Sequence, residues 1–127
     1  MGTTLVAVRW GRVERCQGYR LWIGGPVPPG ADAWTLGTLV IVREASAGSA
    51  HLLAHELEHV RQYEQLGMVG FLVRYLGDYL ALRLRGWGHR PAYRRIPAEA
   101  TAEWRARRAL GLGVVTGPEL RAPTGPA

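Results

Sequence analysis

Residues 51–60 read HLLAHELEHV, and the spacing of their side chains determines how the surrounding chain is interpreted. At 100° per residue, His55 and His59 fall within about 40° of each other on one stripe of a helix. An adjoining stripe is apolar and holds Leu53, Leu57 and Val60. The pattern therefore predicts an amphipathic helix over about 50–66, ended by Gly67.

The segments on either side of this helix predict an α+β fold. Upstream lie β-rich runs that predict about three strands of a small antiparallel or mixed sheet, at 3–10, 18–24 and 35–43. Downstream, the pattern predicts an apolar helix at 68–85, a loop at 86–96 and a third helix from Pro97 to about 110. A chain of this length corresponds to about one domain, which we assign to residues 1–110, followed by a flexible Gly/Pro-rich tail at 111–127.

The amino-acid composition bears on the expected cellular compartment and on the kinds of binding partner. The net charge of +6 comes from 16 arginines and no lysine, and asparagine is also absent, so GC-rich codon usage accounts for much of the arginine. The single Cys16 cannot form an internal disulfide, and the first residues lack the pattern of a signal peptide. We therefore expect a cytoplasmic protein.

The predicted helix at 68–85 is apolar over most of its circumference but carries Arg74, Asp78 and Arg83. These charges argue against a transmembrane span, which needs about 20 residues with few or no charges. The aromatic side chains Phe71, Tyr75 and Tyr79 have helical spacing, which is more typical of packing than of recognition. We expect this helix to be buried or covered by a partner, and a homodimer through 68–85 is one possibility.

The histidine stripe has the spacing of a metal site. Two histidines four residues apart on a helix hold their Cβ atoms about 5–6 Å apart, so that both imidazoles can reach one ion. His55-Glu56-Leu57-Glu58-His59 has the H-E-x-x-H form, in which the glutamate after the first histidine can act as general base toward a metal-activated water. Glu58 falls on the predicted water-facing side and is interpreted as a surface charge. His51 lies two turns from His59, cannot join the same ion, and is expected at the edge of the cleft or on the surface.

A catalytic zinc site needs a third protein ligand, and no further histidine follows closely after His59. The best downstream candidate is Glu99, in IPAEATAEW, near the start of the last predicted helix. One turn later, Glu103 could accept the Nδ1 proton of a ligating histidine and so orient it. Tyr93 and His89 are the candidate donors toward a developing oxyanion, although Tyr93 could equally pack under the loop.

With H-E-x-x-H at 55–59 and Glu-x-x-x-Glu at 99–103, the sequence resembles the gluzincin group of zinc metallopeptidases, most closely its very short members with a zincin-like fold. The resemblance covers roughly residues 35–108. It implies one Zn²⁺ per chain, with His55, His59 and Glu99 as ligands, Glu56 as base and Glu103 as orienter. It also implies cleavage of a peptide or protein substrate, bound in extended form along the strand before the helix, here 35–43.

Two other functions compete with a peptidase. A zincin-like domain could bind the metal without catalysing hydrolysis. Alternatively, the segment RLRGWGHRPAYRR interleaves arginine with Trp87 and Tyr93, a composition typical of modules that bind nucleic acid or an anionic membrane surface. No known nucleic-acid recognition motif is present, so nucleic acid is the less favoured partner.

Overall fold

A computed structural model describes residues 11–112, and they form a four-stranded mixed sheet followed by three helices. The strands, in chain order, are β1 (Arg12–Cys16), β2 (Tyr19–Ile23), β3 (Ala33–Leu36) and β4 (Leu39–Val42). Their order in the sheet is β1-β2-β4-β3, in which β2 and β4 are parallel and the two outer pairs are antiparallel. The predicted α+β class is confirmed, with four strands instead of about three.

Two strand predictions need correction. The run at 35–43 is a hairpin and not one strand, because Gly37 adopts φ 64° and reverses the chain between β3 and β4. Two-residue hairpin turns need a positive φ, which glycine adopts readily. The polar segment that separated the predicted strands contains β1, whose residues are mostly exposed and show no inward-facing alternation that the sequence could reveal. The predicted strand at 3–10 lies outside the described residues.

The helices are α1 (Ala50–Leu84), α2 (His89–Arg95) and α3 (Pro97–Ala109), and a short 3₁₀ turn, Glu44–Ser46, precedes them. The Ser49 side chain caps α1 by accepting a hydrogen bond from the Leu52 amide at 3.1 Å. Gly67, with φ 75° and ψ 166°, breaks α1 where the sequence predicted an end.

The prediction of a loop at 86–96 is wrong, because α2 occupies most of it. Pro91 is tolerated there since it lies in the first turn of α2, where a backbone N–H has no partner within the helix. The predicted third helix is confirmed as α3, with Pro97 at its first turn. None of the helices within residues 11–112 is long and apolar enough to cross a membrane.

The core lies between the sheet and the first half of α1. Side chains from β2 and β4 pack against Val60 and the leucines of the predicted apolar stripe, and the buried set is Leu21, Ile23, Val40, Val42 and Val60. Burial of each such side chain contributes about 1.5 to 3 kcal/mol. With this face of α1 held on the sheet, the histidine stripe faces away from the strands and toward α3.

Candidate metal centre

The three predicted ligands meet where α1 passes α3. The Nε2 atoms of His55 and His59 lie 2.9 and 3.1 Å from the same oxygen, Oε1 of Glu99. One potential ligand atom from each residue lies within 4.8 Å of the others. His59 and Glu99 are each only 5% exposed, so the cluster is largely shielded from solvent.

Neighbouring side chains select the histidine tautomers. The Nδ1 atom of His55 lies 3.0 Å from Oε1 of Glu103, which is where the sequence placed an orienting carboxylate. The Nδ1 atom of His59 lies 2.9 Å from Oε1 of Gln62, and the Gln62 amide nitrogen donates to the Ala98 carbonyl at 3.1 Å. Each Nδ1 atom therefore faces an acceptor and carries the proton in a neutral imidazole. The Nε2 lone pairs are then both directed at the space beside Glu99.

The electrostatics of the cluster favour positive charge at its centre. Burial lowers the pKa of His55, but hydrogen bonds to Glu103 and Glu99 outweigh it and raise that pKa to about 10. Burial, the largest single effect, likewise lowers the pKa of His59, but the charge and hydrogen bond of Glu99, together with the Glu56 charge, outweigh burial and raise it. Burial raises the pKa of Glu99, yet the facing histidines His59 and His55 hold it well below its usual range. A bound cation would satisfy the same demand for positive charge.

The candidate base, Glu56, is placed by the sheet. It is 5% exposed, and its Oε1 accepts a hydrogen bond from the Thr35 hydroxyl of β3 at 2.8 Å. Among the described residues, no side chain or amide donates to its Oε2. Its charge lies close enough to both His55 and His59 to raise their pKa values. One oxygen is thus anchored and the other is available beside the histidine pair.

The second half of α1 completes the site in a way that the sequence did not predict. The Tyr75 hydroxyl donates to Oε2 of Glu99 at 2.5 Å, which leaves Oε1 as the oxygen that faces the histidines. The packing role predicted for the aromatic set is confirmed for Phe71 and Tyr75, whose rings stack on each other and approach the His59 ring. Tyr75 therefore both packs on the cluster and orients a predicted ligand.

The two candidate oxyanion donors are in different surroundings. Tyr93, on α2, is 43% exposed and interacts with Glu99 and Tyr75; burial of its hydroxyl and the Glu99 charge raise its pKa. His89 instead pairs through Nδ1 with the Tyr79 hydroxyl at 2.9 Å. Only Tyr93 is associated with the cluster in these contacts.

The expected position of His51 is confirmed, and that of Glu58 is corrected. The His51 side chain is 38% exposed, at the edge of the cluster, and its Nε2 lies 2.9 Å from both oxygens of Glu103. The interpretation of Glu58 as a surface charge is wrong, since it is only 6% exposed. Its carboxylate lies 3.1 Å from Arg61 and 4.0 Å from Arg105 of α3, which packs beside Glu58, whereas Arg61 and Gln65 of the assigned water-facing side are exposed.

Sequence reasoning missed Thr35, Gln62 and Tyr75. Gln62 carried a signal, because it lies at about −20° on the histidine stripe when His55 is at zero. Thr35 and Tyr75 carried none, since one comes from the hairpin at Gly37 and the other from the chain beyond the break in α1.

Comparison with known proteins gives one match. The family model of the eCIS core domain matches residues 28–67, which include β3, β4 and the first half of α1 with His55, Glu56 and His59. Glu99, Glu103 and Tyr93 lie beyond the matched residues. No curated protein and no solved structure matches the chain.

Proposed function

We propose that this protein is a zinc-dependent hydrolase of the gluzincin type that cleaves peptide bonds with a metal-activated water. The observation that carries the proposal is the convergence of two histidine Nε2 atoms on one oxygen of Glu99, while each Nδ1 faces an acceptor. A metal site requires both features.

The donor set fits zinc. Two neutral imidazoles and one carboxylate are the protein ligands of a common class of catalytic zinc site, which keeps one position for water or substrate. The pKa of His55, raised to about 10, shows how strongly the surrounding carboxylates favour a cation at this point. When bound, zinc would lower the pKa of a water toward about 7 and polarise the scissile carbonyl.

Glu56 would move the proton in the reaction. Its Oε1 is held by Thr35, so Oε2 is the atom that takes a proton from the attacking water and later delivers it to the leaving amine. The raised pKa of Tyr93 keeps its hydroxyl protonated at neutral pH, so that it can donate a hydrogen bond to the developing oxyanion. Glu103 and Gln62 would keep the two histidines in the ligating tautomer throughout.

The structure changes which strand would bind an extended substrate. The sequence assigned this role to 35–43, but β4 is enclosed between β2 and β3 and has no free edge. Among the strands of residues 11–112, β3 is the edge strand beside β4, and it carries Thr35, which contacts Glu56 of α1. A peptide that adds to the sheet would therefore pair with β3 and run past the base.

Metal content per chain is the first test. Protein purified without chelator or affinity nickel should contain about one zinc per chain by elemental analysis, and Glu99→Ala should contain much less. Glu64→Ala is the matched control, because Glu64 is an exposed glutamate on α1. If wild-type protein takes up no zinc even after incubation with the ion, the proposed site is wrong.

Turnover then separates a hydrolase from a zincin-like domain that only binds metal. Glu56→Gln should keep the zinc content of wild type and lose about 10²-fold or more of peptide hydrolysis, since the group that moves the proton is gone. Equal hydrolysis by Glu56→Gln would contradict the mechanism. A wild-type protein that holds zinc but cleaves no member of a diverse peptide library would be a metal-binding domain without this activity.

A further inference from the structure

The second half of α1 exposes a continuous apolar ridge. Its aliphatic side chains are 57–79% exposed and recur every three or four residues, so that they form one stripe: Val69, Val73, Leu76, Leu80 and Leu84. Trp87, 39% exposed, continues the stripe beyond the end of the helix. The opposite side of the helix packs inward through Phe71 and Tyr75. The helix was expected to be buried or covered by a partner; within the described chain the ridge is not buried, and cover by a partner stays a prediction.

The net charge of the protein is concentrated in the segment that carries this ridge and in α2, which follows it. Residues 68–95 contain six arginines and one aspartate, a net charge of +5, whereas the whole chain carries +6. Codon usage would distribute arginine along the chain and does not explain this concentration. Five of the six are exposed and form no ion pair within residues 11–112, namely Arg74, Arg83, Arg85, Arg90 and Arg94. The sixth, Arg95, stacks on the Trp87 ring with its guanidinium carbon 3.8 Å from the ring centroid.

We propose that the apolar ridge and its arginines form a docking surface for an anionic lipid bilayer. A helix lying in the plane of the membrane would insert the aliphatic stripe among the acyl chains and place its arginines near acidic head groups. Trp87 and the long arginine side chains have the apolar body and polar end that suit this interfacial region.

The positive charge of this segment favours an anionic bilayer over a second copy of the chain as the partner of the ridge. A two-fold pairing through the ridge would bring one +5 segment against another, with only Asp78 available to offset it on each side. An anionic bilayer meets both the apolar and the basic part of the surface. This inference does not depend on zinc binding or hydrolysis.

Vesicle binding tests the proposal. The full-length protein is mixed with phosphatidylcholine vesicles, with or without phosphatidylglycerol, and the bound fraction is measured by sedimentation over a salt series. We expect at least about tenfold stronger binding to the anionic vesicles, and a decrease as salt rises. Equal binding to both vesicles, or no binding to the anionic ones, would overturn the proposal.

Matched variants assign the binding to the ridge. Leu76→Ser with Leu80→Ser should reduce anionic-vesicle binding about tenfold or more, since both side chains are more than half exposed and contribute by insertion. Val13→Ser, an exposed aliphatic on β1, should leave it unchanged. An unchanged circular dichroism spectrum and an unchanged urea unfolding midpoint show that each variant is folded. An equal loss in the Val13 variant would contradict the assignment.

Two further experiments test the role of the arginines and the alternative of a homodimer. Arg74→Gln with Arg85→Gln should weaken binding and its salt dependence, while Arg15→Gln with Arg20→Gln, the same charge change on the sheet, should do neither. Sedimentation velocity gives the mass in solution without vesicles. A stable dimer that the Leu76 and Leu80 variant converts to monomer would make a second copy the occupant and overturn the lipid proposal.

Discussion

Zinc binding at neutral pH should release protons from the histidine pair. In the metal-free protein, hydrogen bonds to Glu103 and Glu99 raise the pKa of His55 to about 10, so His55 is protonated on both nitrogens at pH 7. The pKa of His59 is also raised, because the charge and hydrogen bond of Glu99 and the Glu56 charge together outweigh burial. A histidine ligates only through a deprotonated nitrogen. We therefore expect more than one and up to about two protons to leave per zinc bound at pH 7.

The free-energy cost of this release follows from the pKa of His55. Deprotonating a group three pH units below its pKa costs about 4 kcal/mol, since each unit corresponds to about 1.36 kcal/mol. Apparent zinc affinity should therefore rise with pH, by about tenfold per pH unit for each proton displaced. The contribution of His55 to this slope disappears above its pKa of about 10, where the residue is already neutral.

Titration calorimetry in buffers of different ionisation enthalpy counts the protons released. The variant Glu103→Gln should release fewer, because its hydrogen bond is the largest effect that raises the pKa of His55. Glu64→Gln, at an exposed site on the same helix, should behave like wild type. If wild type releases less than about half a proton per zinc bound, the carboxylates do not keep His55 and His59 protonated at pH 7. That result would refute the predicted coupling between zinc binding and proton release.

Three further substitutions test how the site is supported. Gly67→Ala should lower the free energy of unfolding, measured in urea, by about 1 to 3 kcal/mol, because φ 75° with ψ 166° is a backbone conformation that essentially only glycine adopts. No atom lies within 4 Å of the added Cβ, so the loss would come from the backbone alone, and an unchanged value would contradict this. Thr35→Val should keep the zinc content, lower the free energy of unfolding by about 1 to 3 kcal/mol and slow peptide hydrolysis, because buried Glu56 loses the hydrogen bond from the Thr35 hydroxyl. Wild-type stability together with wild-type hydrolysis would refute the anchoring role of Thr35. Glu58→Met should be neutral or stabilising by about 1 kcal/mol, because it removes a buried carboxylate whose Oε1 accepts no hydrogen bond and lies 4.0 Å from Arg105, and because it leaves Arg61 hydrated. A loss above about 1 kcal/mol would show that the ion pairs dominate.

Much of the candidate site was predictable because its chemistry lies in local spacing. His55 and His59 share a helix stripe whatever surrounds them, and Glu99 and Glu103 share one on α3. The same periodicity explains the failure at Glu58. At 100° per residue Glu58 lies at about −60° when His55 is at zero, only about 40° from Gln62, so it borders the histidine stripe that packs on α3 and was wrongly assigned to the water-facing side.

The sequence by itself determined the α+β class, the helix that carries the histidines, its break at Gly67 and the helix that carries the glutamates. These features depend on interactions within a few residues, such as side-chain periodicity and the positive φ that glycine permits. Only the tertiary structure decided that β3 is an edge strand of the described sheet, that Thr35 holds Glu56 and that Tyr75 reaches Glu99. Those contacts join segments separated by 21 and 24 residues, and their formation depends on how the hairpin and the two halves of α1 pack, which no local pattern encodes.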